Sequence, residues 1–183
     1  MRAFIALELP SEIQSWLGEI INSLRTRDAK VRWVNPPQIH LTVKFLGDVN
    51  QEQVNGILKD LQDSVDQFSS LNLTIGRLGA FPRVNNPRVV WVGVQVSPQL
   101  QQVYERIESV AVKQGIQAEE RSFAPHLTLG RVKSLDRESQ LPIRLKQVNV
   151  DERQVVLQHL TLFESTLTPQ GPIYRAIKIF DLK

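Results

Sequence analysis

Two tripeptides, His40-Leu41-Thr42 and His126-Leu127-Thr128, stand 86 residues apart, each inside a run in which apolar and polar side chains alternate. The runs are Ile39-His40-Leu41-Thr42-Val43-Lys44 and Pro125-His126-Leu127-Thr128-Leu129-Gly130-Arg131. In a strand, successive side chains point to opposite faces. His40 and Thr42 therefore share one face while Ile39, Leu41 and Val43 fill a core on the other. His126 and Thr128 repeat the pattern against Leu127 and Leu129. Each polar face sets a titratable nitrogen beside a hydroxyl donor. Two such faces brought together would hold an anion between two imidazoles.

The same offset relates what surrounds the two tripeptides. Arg2 to Leu9 reads as a first strand rather than a signal peptide, because the apolar run is short and broken by Glu8. Pro10-Ser11-Glu12 is a helix start, followed by Ile13, Leu17, Ile20, Ile21 and Leu24 at helical spacing. Val31 to Val34 and a turn at Asn35-Pro36-Pro37 lead into the first histidine strand, which ends at Gly47-Asp48. A helix is expected over 51–65 and a strand over 71–75, with Gly76 to Pro87 read as turn and loop. The opening pattern then recurs. Arg88 to Val94 is a strand, Ser97-Pro98 caps a helix carrying Leu100, Val103, Tyr104, Ile107, Val110 and Ala111, and Gly115 ends it. Ile116 to Arg121 lead into the second histidine strand. Strand, helix, strand and histidine strand thus occur twice, the order expected of an internal duplication with an approximate two-fold relation between the histidine strands. The tail reads as a strand over 155–163, a turn over 168–172 and a strand over 173–180, a hairpin closing a sheet.

Composition narrows the chemistry by exclusion. The 183 residues contain no cysteine, which removes disulfides, thiolate zinc sites and a cysteine nucleophile, and fits a reducing, cytoplasmic setting. No stretch approaches the roughly 20 apolar residues of a membrane span. The net charge of +3 and pI near 9.4 are compatible with a phosphate-bearing partner without requiring one. All three histidines precede Leu-Thr, but the third, in His159-Leu160-Thr161, lies outside the 86-residue register, and its face is mixed with Leu157 and Phe163. It is expected to be a solvated or hydrogen-bonded surface residue. No histidine pair has metal-ligand spacing and no acidic cluster accompanies them, so neither metal nor cofactor is expected.

Two imidazoles with ordinary pKa values near 6.5 supply a base and an acid at neutral pH. On opposite sides of a phosphorus atom they suit in-line displacement, with Thr42 and Thr128 hydrogen-bonded to the non-bridging oxygens. A strained cyclic phosphodiester suits such acid–base help best.

Paired H-x-T-x motifs, one in each half of a duplicated chain, resemble the two-histidine (2H) phosphoesterase superfamily, and within it the RNA 2′,3′-cyclic phosphodiesterases historically called 2′-5′ RNA ligases. The resemblance runs nearly end to end: Arg2-Ala3-Phe4-Ile5-Ala6-Leu7, Arg32-Trp33-Val34, His40 through Gly47, Phe81-Pro82, Pro125 through Arg131 and a late Tyr174. It implies an α+β, internally duplicated, bilobal fold over residues 1–183, with two antiparallel sheets facing a central groove and helices outside, the lobes not folding independently. It also implies metal-free hydrolysis of RNA 2′,3′-cyclic phosphate ends, tRNA fragments among them, to 2′-phosphates; a monomer is expected. His40 would protonate the leaving 3′-oxygen, His126 would activate water, and Thr42 and Thr128 would hold phosphate oxygens. Arg131 would be a further phosphate ligand or else a surface strand arginine. Phe45 would stack a base, although alternation puts it on the core side unless the strand is offset. Tyr174 and Lys44 are weaker candidates for substrate contact. Two other readings stand beside this one: 2′-5′ ligation in the same site with acid and base exchanged, and an RNA-binding module that grips phosphate without turnover. A hydrolase of smaller cyclic phosphates differs only in groove width.

Overall fold

A computed structural model describes all residues 1–183. Its strands are β1 (Arg2–Glu8), β2 (Ala29–Trp33), β3 (His40–Asp48), β4 (Leu71–Arg83), β5 (Asn86–Val94), β6 (His126–Leu135), β7 (Arg153–Leu157), β8 (His159–Thr168) and β9 (Gly171–Asp181). Four helices accompany them: α1 (Ser11–Leu24), α2 (Gln51–Val65), α3 (Pro98–Lys113) and α4 (Leu141–Gln147). The apolar stripes expected at helical spacing face the core, with Tyr104 of α3 only partly buried. Ile13, Leu17, Ile20, Ile21 and Leu24 of α1 are buried, as are Leu100, Val103, Ile107, Val110 and Ala111 of α3. Ser97 caps α3 by accepting from the Leu100 amide, and Gly115 closes it at φ +78°. A reciprocal Asn50–Gln53 capping box starts α2. No helix is long and apolar enough to cross a membrane.

The nine strands form one antiparallel path, β7-β4-β5-β6-β3-β1-β8-β9, with β2 added to β6. The fold is α+β and duplicated, as expected. The two expected sheets are the two halves of this path, joined between β3 and β6 by the single pair Leu41↔Leu127. The halves repeat each other in detail. Along β1–β3 the register skips Val43, since Ile5 pairs with Lys44 and Ala6 with Thr42. Along β5–β6 it skips Leu129, since Val90 pairs with Gly130 and Trp91 with Thr128. Two bulges thus sit at equivalent places in the two histidine strands.

Three expectations need correction. The residues 76–87 are not a loop: β4 and β5 form a long hairpin that turns only at Val84-Asn85. Glycine and proline survive there because β4 pairs with β7 only from Leu71 to Ile75, which leaves its later residues on a sheet edge. The expected strand 155–163 is two strands divided at Gln158, one pairing with β4 and the other with β1. These partners lie near opposite ends of the path. A flat sheet of eight strands would separate its edges by roughly 30 Å, which one residue cannot span. The path therefore curls until its ends meet, and one apolar cluster of 41 buried residues runs through both halves.

The third correction concerns the lead-in to the second histidine strand. Residues 116–125 form no strand, whereas their counterpart β2 pairs with β6. A polar anchor replaces the ladder. The Lys44 ammonium donates to Glu108 Oε1 at 2.8 Å and to the Gln117 carbonyl at 2.9 Å, and Glu108 also accepts from the Glu119 amide. Lys44 is buried in this contact and takes no part in the polar face expected to hold substrate. Removing one partner of a buried ion pair strands the other charge, at a cost of about 3–5 kcal/mol. Lys44→Ala is expected to lower stability by about that amount, seen in urea melts as a lower midpoint at unchanged slope; an unchanged midpoint would show that the anchor contributes nothing.

Candidate active site

Leu41 and Leu127 are fully buried where β3 and β6 meet, so alternation turns their neighbours His40, Thr42, His126 and Thr128 to the opposite face, where all four are half-buried. Antiparallel register about this one pair sets His40 toward Thr128 and Thr42 toward His126. The sequence-predicted quartet is therefore gathered around the approximate two-fold axis. Beyond it, the two bulges reverse the alternation. Strict alternation would bury Phe45 in the core; the skipped Val43 brings it to the polar face instead, 66% exposed. The skipped Leu129 does the same for Arg131. Lys44 and Gly130 are turned to the other side.

The histidine rings are held alike. His40 Nδ1 lies 2.7 Å from the Gln38 carbonyl, and His126 Nδ1 lies 2.7 Å from the Ala124 carbonyl, the same contact 86 residues on. A carbonyl only accepts, so Nδ1 carries the proton in both rings. Nε2 is left as the atom that gains or loses one, in both rings.

Their surroundings differ. His40 stacks on Phe4 at 4.9 Å between ring centroids and meets Tyr174 edge-on at 5.4 Å, with Phe163 beyond Phe4. Burial holds its pKa below the ordinary 6.5, opposed by the Gln38 carbonyl and by the charge of Glu8. Glu8 pairs with His40 across β1–β3 and accepts a hydrogen bond from Thr161, whose side chain is fully buried. His126 is flanked by Phe81, perpendicular at 5.0 Å, and by Trp91 at 6.4 Å. Its partner across β5–β6 is Gly93, which carries no charge. The two-fold symmetry of the histidines is thus broken by one carboxylate. Burial raises the Tyr174 pKa, and the positive charge of Arg131 opposes that rise.

A cavity of about 190 Å³ opens beside His40, with Glu8, Gln38, Phe163 and Tyr174 in its wall. His159 stands apart, half exposed, with Nδ1 2.9 Å from Asp181 Oδ1. Only Thr161 of the third tripeptide reaches the site, through Glu8. No group of three or more His, Cys, Asp or Glu side chains comes together to hold a metal ion. Sequence reasoning missed Glu8, Phe4, Phe163, Phe81 and Trp91 as members of the site. The only local sign was at Glu8, a charge in an otherwise apolar strand.

Comparison with known proteins agrees with the duplicated geometry. The family model described as LigT like Phosphoesterase matches the chain twice, over residues 7–91 and 92–174. An RNA 2′,3′-cyclic phosphodiesterase of Thermotoga maritima is 34% identical over 178 residues, covering 97% of this chain and 93% of its own. One from Methanothermobacter thermautotrophicus is 33% identical over 185 residues, covering 100% and 99%. Among solved structures, a Thermus thermophilus protein superposes with a TM-score of 0.81 at 25% identity, covering 100% of this chain and 98% of its own. Escherichia coli LigT complexed with 3′-AMP superposes with a TM-score of 0.76 at 26% identity, covering 99% and 97%. With both halves matched and both histidine strands in their equivalent places, the chain belongs to the LigT-like phosphoesterase family.

Proposed function

We propose that this protein hydrolyses 2′,3′-cyclic phosphate ends of RNA to 2′-phosphates without a metal ion, His40 acting as proton donor and His126 as proton acceptor. The observation that carries this reading is the pair of histidines related by the internal two-fold, each with Nδ1 committed to a carbonyl and Nε2 left for proton transfer. The relatives described above bear the name of this activity.

In the reaction, His126 Nε2 takes a proton from water as the water oxygen bonds to phosphorus. The bond from phosphorus to the 3′-oxygen breaks, and that oxygen receives the proton of His40 Nε2. The products are a 2′-phosphate and a 3′-hydroxyl, with the proton now on His126 rather than His40; its return through solvent resets the site. Thr42 and Thr128 donate to the non-bridging oxygens, where charge is held in the transition state, and Arg131 adds a charge-assisted contact. Phe45, exposed beside Phe4 at 6.2 Å between centroids, offers a face for the terminal base. Tyr174 positions the His40 ring from its edge.

Glu8 distinguishes the surroundings of the two histidines, while the net pull on His40, set by burial, is toward the neutral ring. A carboxylate beside His40 favours its protonated form, and Gly93 gives His126 no such partner. Burial works against Glu8, making His40 a stronger acid than a solvated imidazole once it carries the proton.

Phosphorus NMR of a short RNA with a 2′,3′-cyclic end, incubated with the protein and EDTA, is expected to show a 2′-phosphate as the product. A 3′-phosphate would overturn the assignment of acid and base, and an unchanged cyclic end would overturn the activity. His40→Asn and His126→Asn are each expected to lower kcat by about 10²- to 10⁴-fold, with the double variant little worse than either.

A second expectation is the titration of His40. Its imidazole should lose its proton below 6.5, because burial disfavours the charged ring more than the Gln38 carbonyl and Glu8 favour it. Glu8→Gln removes a charge that raises the His40 pKa and should move it lower still. With three histidines in the chain, imidazole NMR titration reads this shift directly. A His40 titration at or above 6.5 would contradict the burial of the ring.

A further inference from the structure

Arg32 of β2 pairs in register with Arg131 of β6. Both are exposed. The neighbours of Arg32, Val31 and Trp33, lie against the other face of β6: a Cβ on Gly130 would sit 2.7 Å from the Trp33 ring and 2.9 Å from Val31 Cγ1. Alternation therefore puts Arg32 on the face that carries Arg131, Thr128 and His126. Neither guanidinium takes part in any ion pair. Asp28, just before β2, is committed to the Ser139 hydroxyl and the Gln140 amide. Exposed Lys30 and Lys133 follow along the same two strands.

Like charges directly opposed across a ladder are destabilising, so this pair costs stability while the face is empty. An anion between the two guanidiniums reverses the sign. The row has no counterpart across the two-fold axis. Phe45 occupies the position equivalent to Arg131, and residues 116–125 form no strand where β2 would be repeated. Both histidines have aromatic neighbours, Phe81 and Trp91 in the case of His126; the His40 side adds the exposed ring of Phe45 and is the more aromatic, and the His126 side adds the cations.

We propose that Arg32, opposed to Arg131, binds an internucleotide phosphate on the 5′ side of the reacting end, so that RNA lies with its terminal nucleoside on the aromatic side and its backbone running out over β6 and β2. This rests on the reading of the protein as an RNA cyclic phosphodiesterase and adds a polarity and a preference to it. The preferred substrate is the end of an oligoribonucleotide rather than a free nucleoside cyclic phosphate, because only the oligonucleotide brings a second phosphate.

The test compares kcat/KM for an oligoribonucleotide ending in a 2′,3′-cyclic phosphate with that for the matching nucleoside 2′,3′-cyclic phosphate. The wild-type ratio should exceed one and fall with salt. In Arg32→Gln the ratio should drop on the order of tenfold, and the log–log salt slope for the oligonucleotide should shrink by about 0.7, the release expected for one single-strand phosphate contact. Arg32→Lys should restore much of the ratio, since a lysine still meets a phosphate as a point charge. Relief of the like-charge pair should leave the melting temperature of Arg32→Gln equal to wild type or higher, so a folding defect is recognisable. A ratio or a salt slope unchanged in stable Arg32→Gln overturns the proposal. A wild-type protein that hydrolyses neither substrate would instead overturn the activity on which it rests.

Discussion

Leu41↔Leu127 is the one residue pair at which the two histidine strands meet, beside the ladder by which β2 joins β6. Both leucines are fully buried, and their burial orients everything opposite them. Because the side-chain period of a strand is two, fixing these leucines toward the core fixes His40, Thr42, His126 and Thr128 toward the other face. A slip of one residue in either strand would bury a histidine and expose a leucine. The bulges at Val43 and Leu129 then act as a second device. They reverse the alternation just beyond the quartet, so that Phe45 and Arg131 join the polar face while Lys44 and Gly130 leave it.

The duplication supplies two similar histidines, but the proposed acid–base reaction needs two different ones. The backbone contacts to Nδ1 are the same in both halves, so the difference arises in what packs around the rings. On the first side an aromatic cluster buries His40 and Glu8 faces it, with Thr161 donating to Glu8. On the second side Gly93 stands where Glu8 would be, and Trp91 lies across Gly79, a position where a Cβ would collide with its ring. Asymmetry of charge also appears farther out, in the cation row of β2 and β6. A two-fold scaffold thus carries a site with direction.

Much of this was legible in the chain. The helix stripes of α1 and α3 follow from 3.6-residue spacing, and Ser97-Pro98 and Gly115 mark the ends of α3 through their own backbone preferences. These signals are local, so the sequence displays them. The strand at 76–83 was hidden because glycine and proline forbid a central strand but not an edge, and which strands are edges is settled only when the sheet forms. The division of 155–163 was hidden for a related reason. Its apolar character suits a strand throughout, and only the curling of the sheet sends its two parts to different partners.

The histidine–threonine pairs, their repeat and their placement opposite a leucine were determined by the sequence alone, because alternation is a property of a single strand and duplication a property of the order of residues. The tertiary structure decided that Phe45 faces the groove, that Lys44 anchors a neighbouring segment, and that Glu8 stands beside one histidine and not the other. A bulge is a mismatch between two strands, and a cross-strand neighbour exists only once register is set. Neither is written in any one stretch of chain.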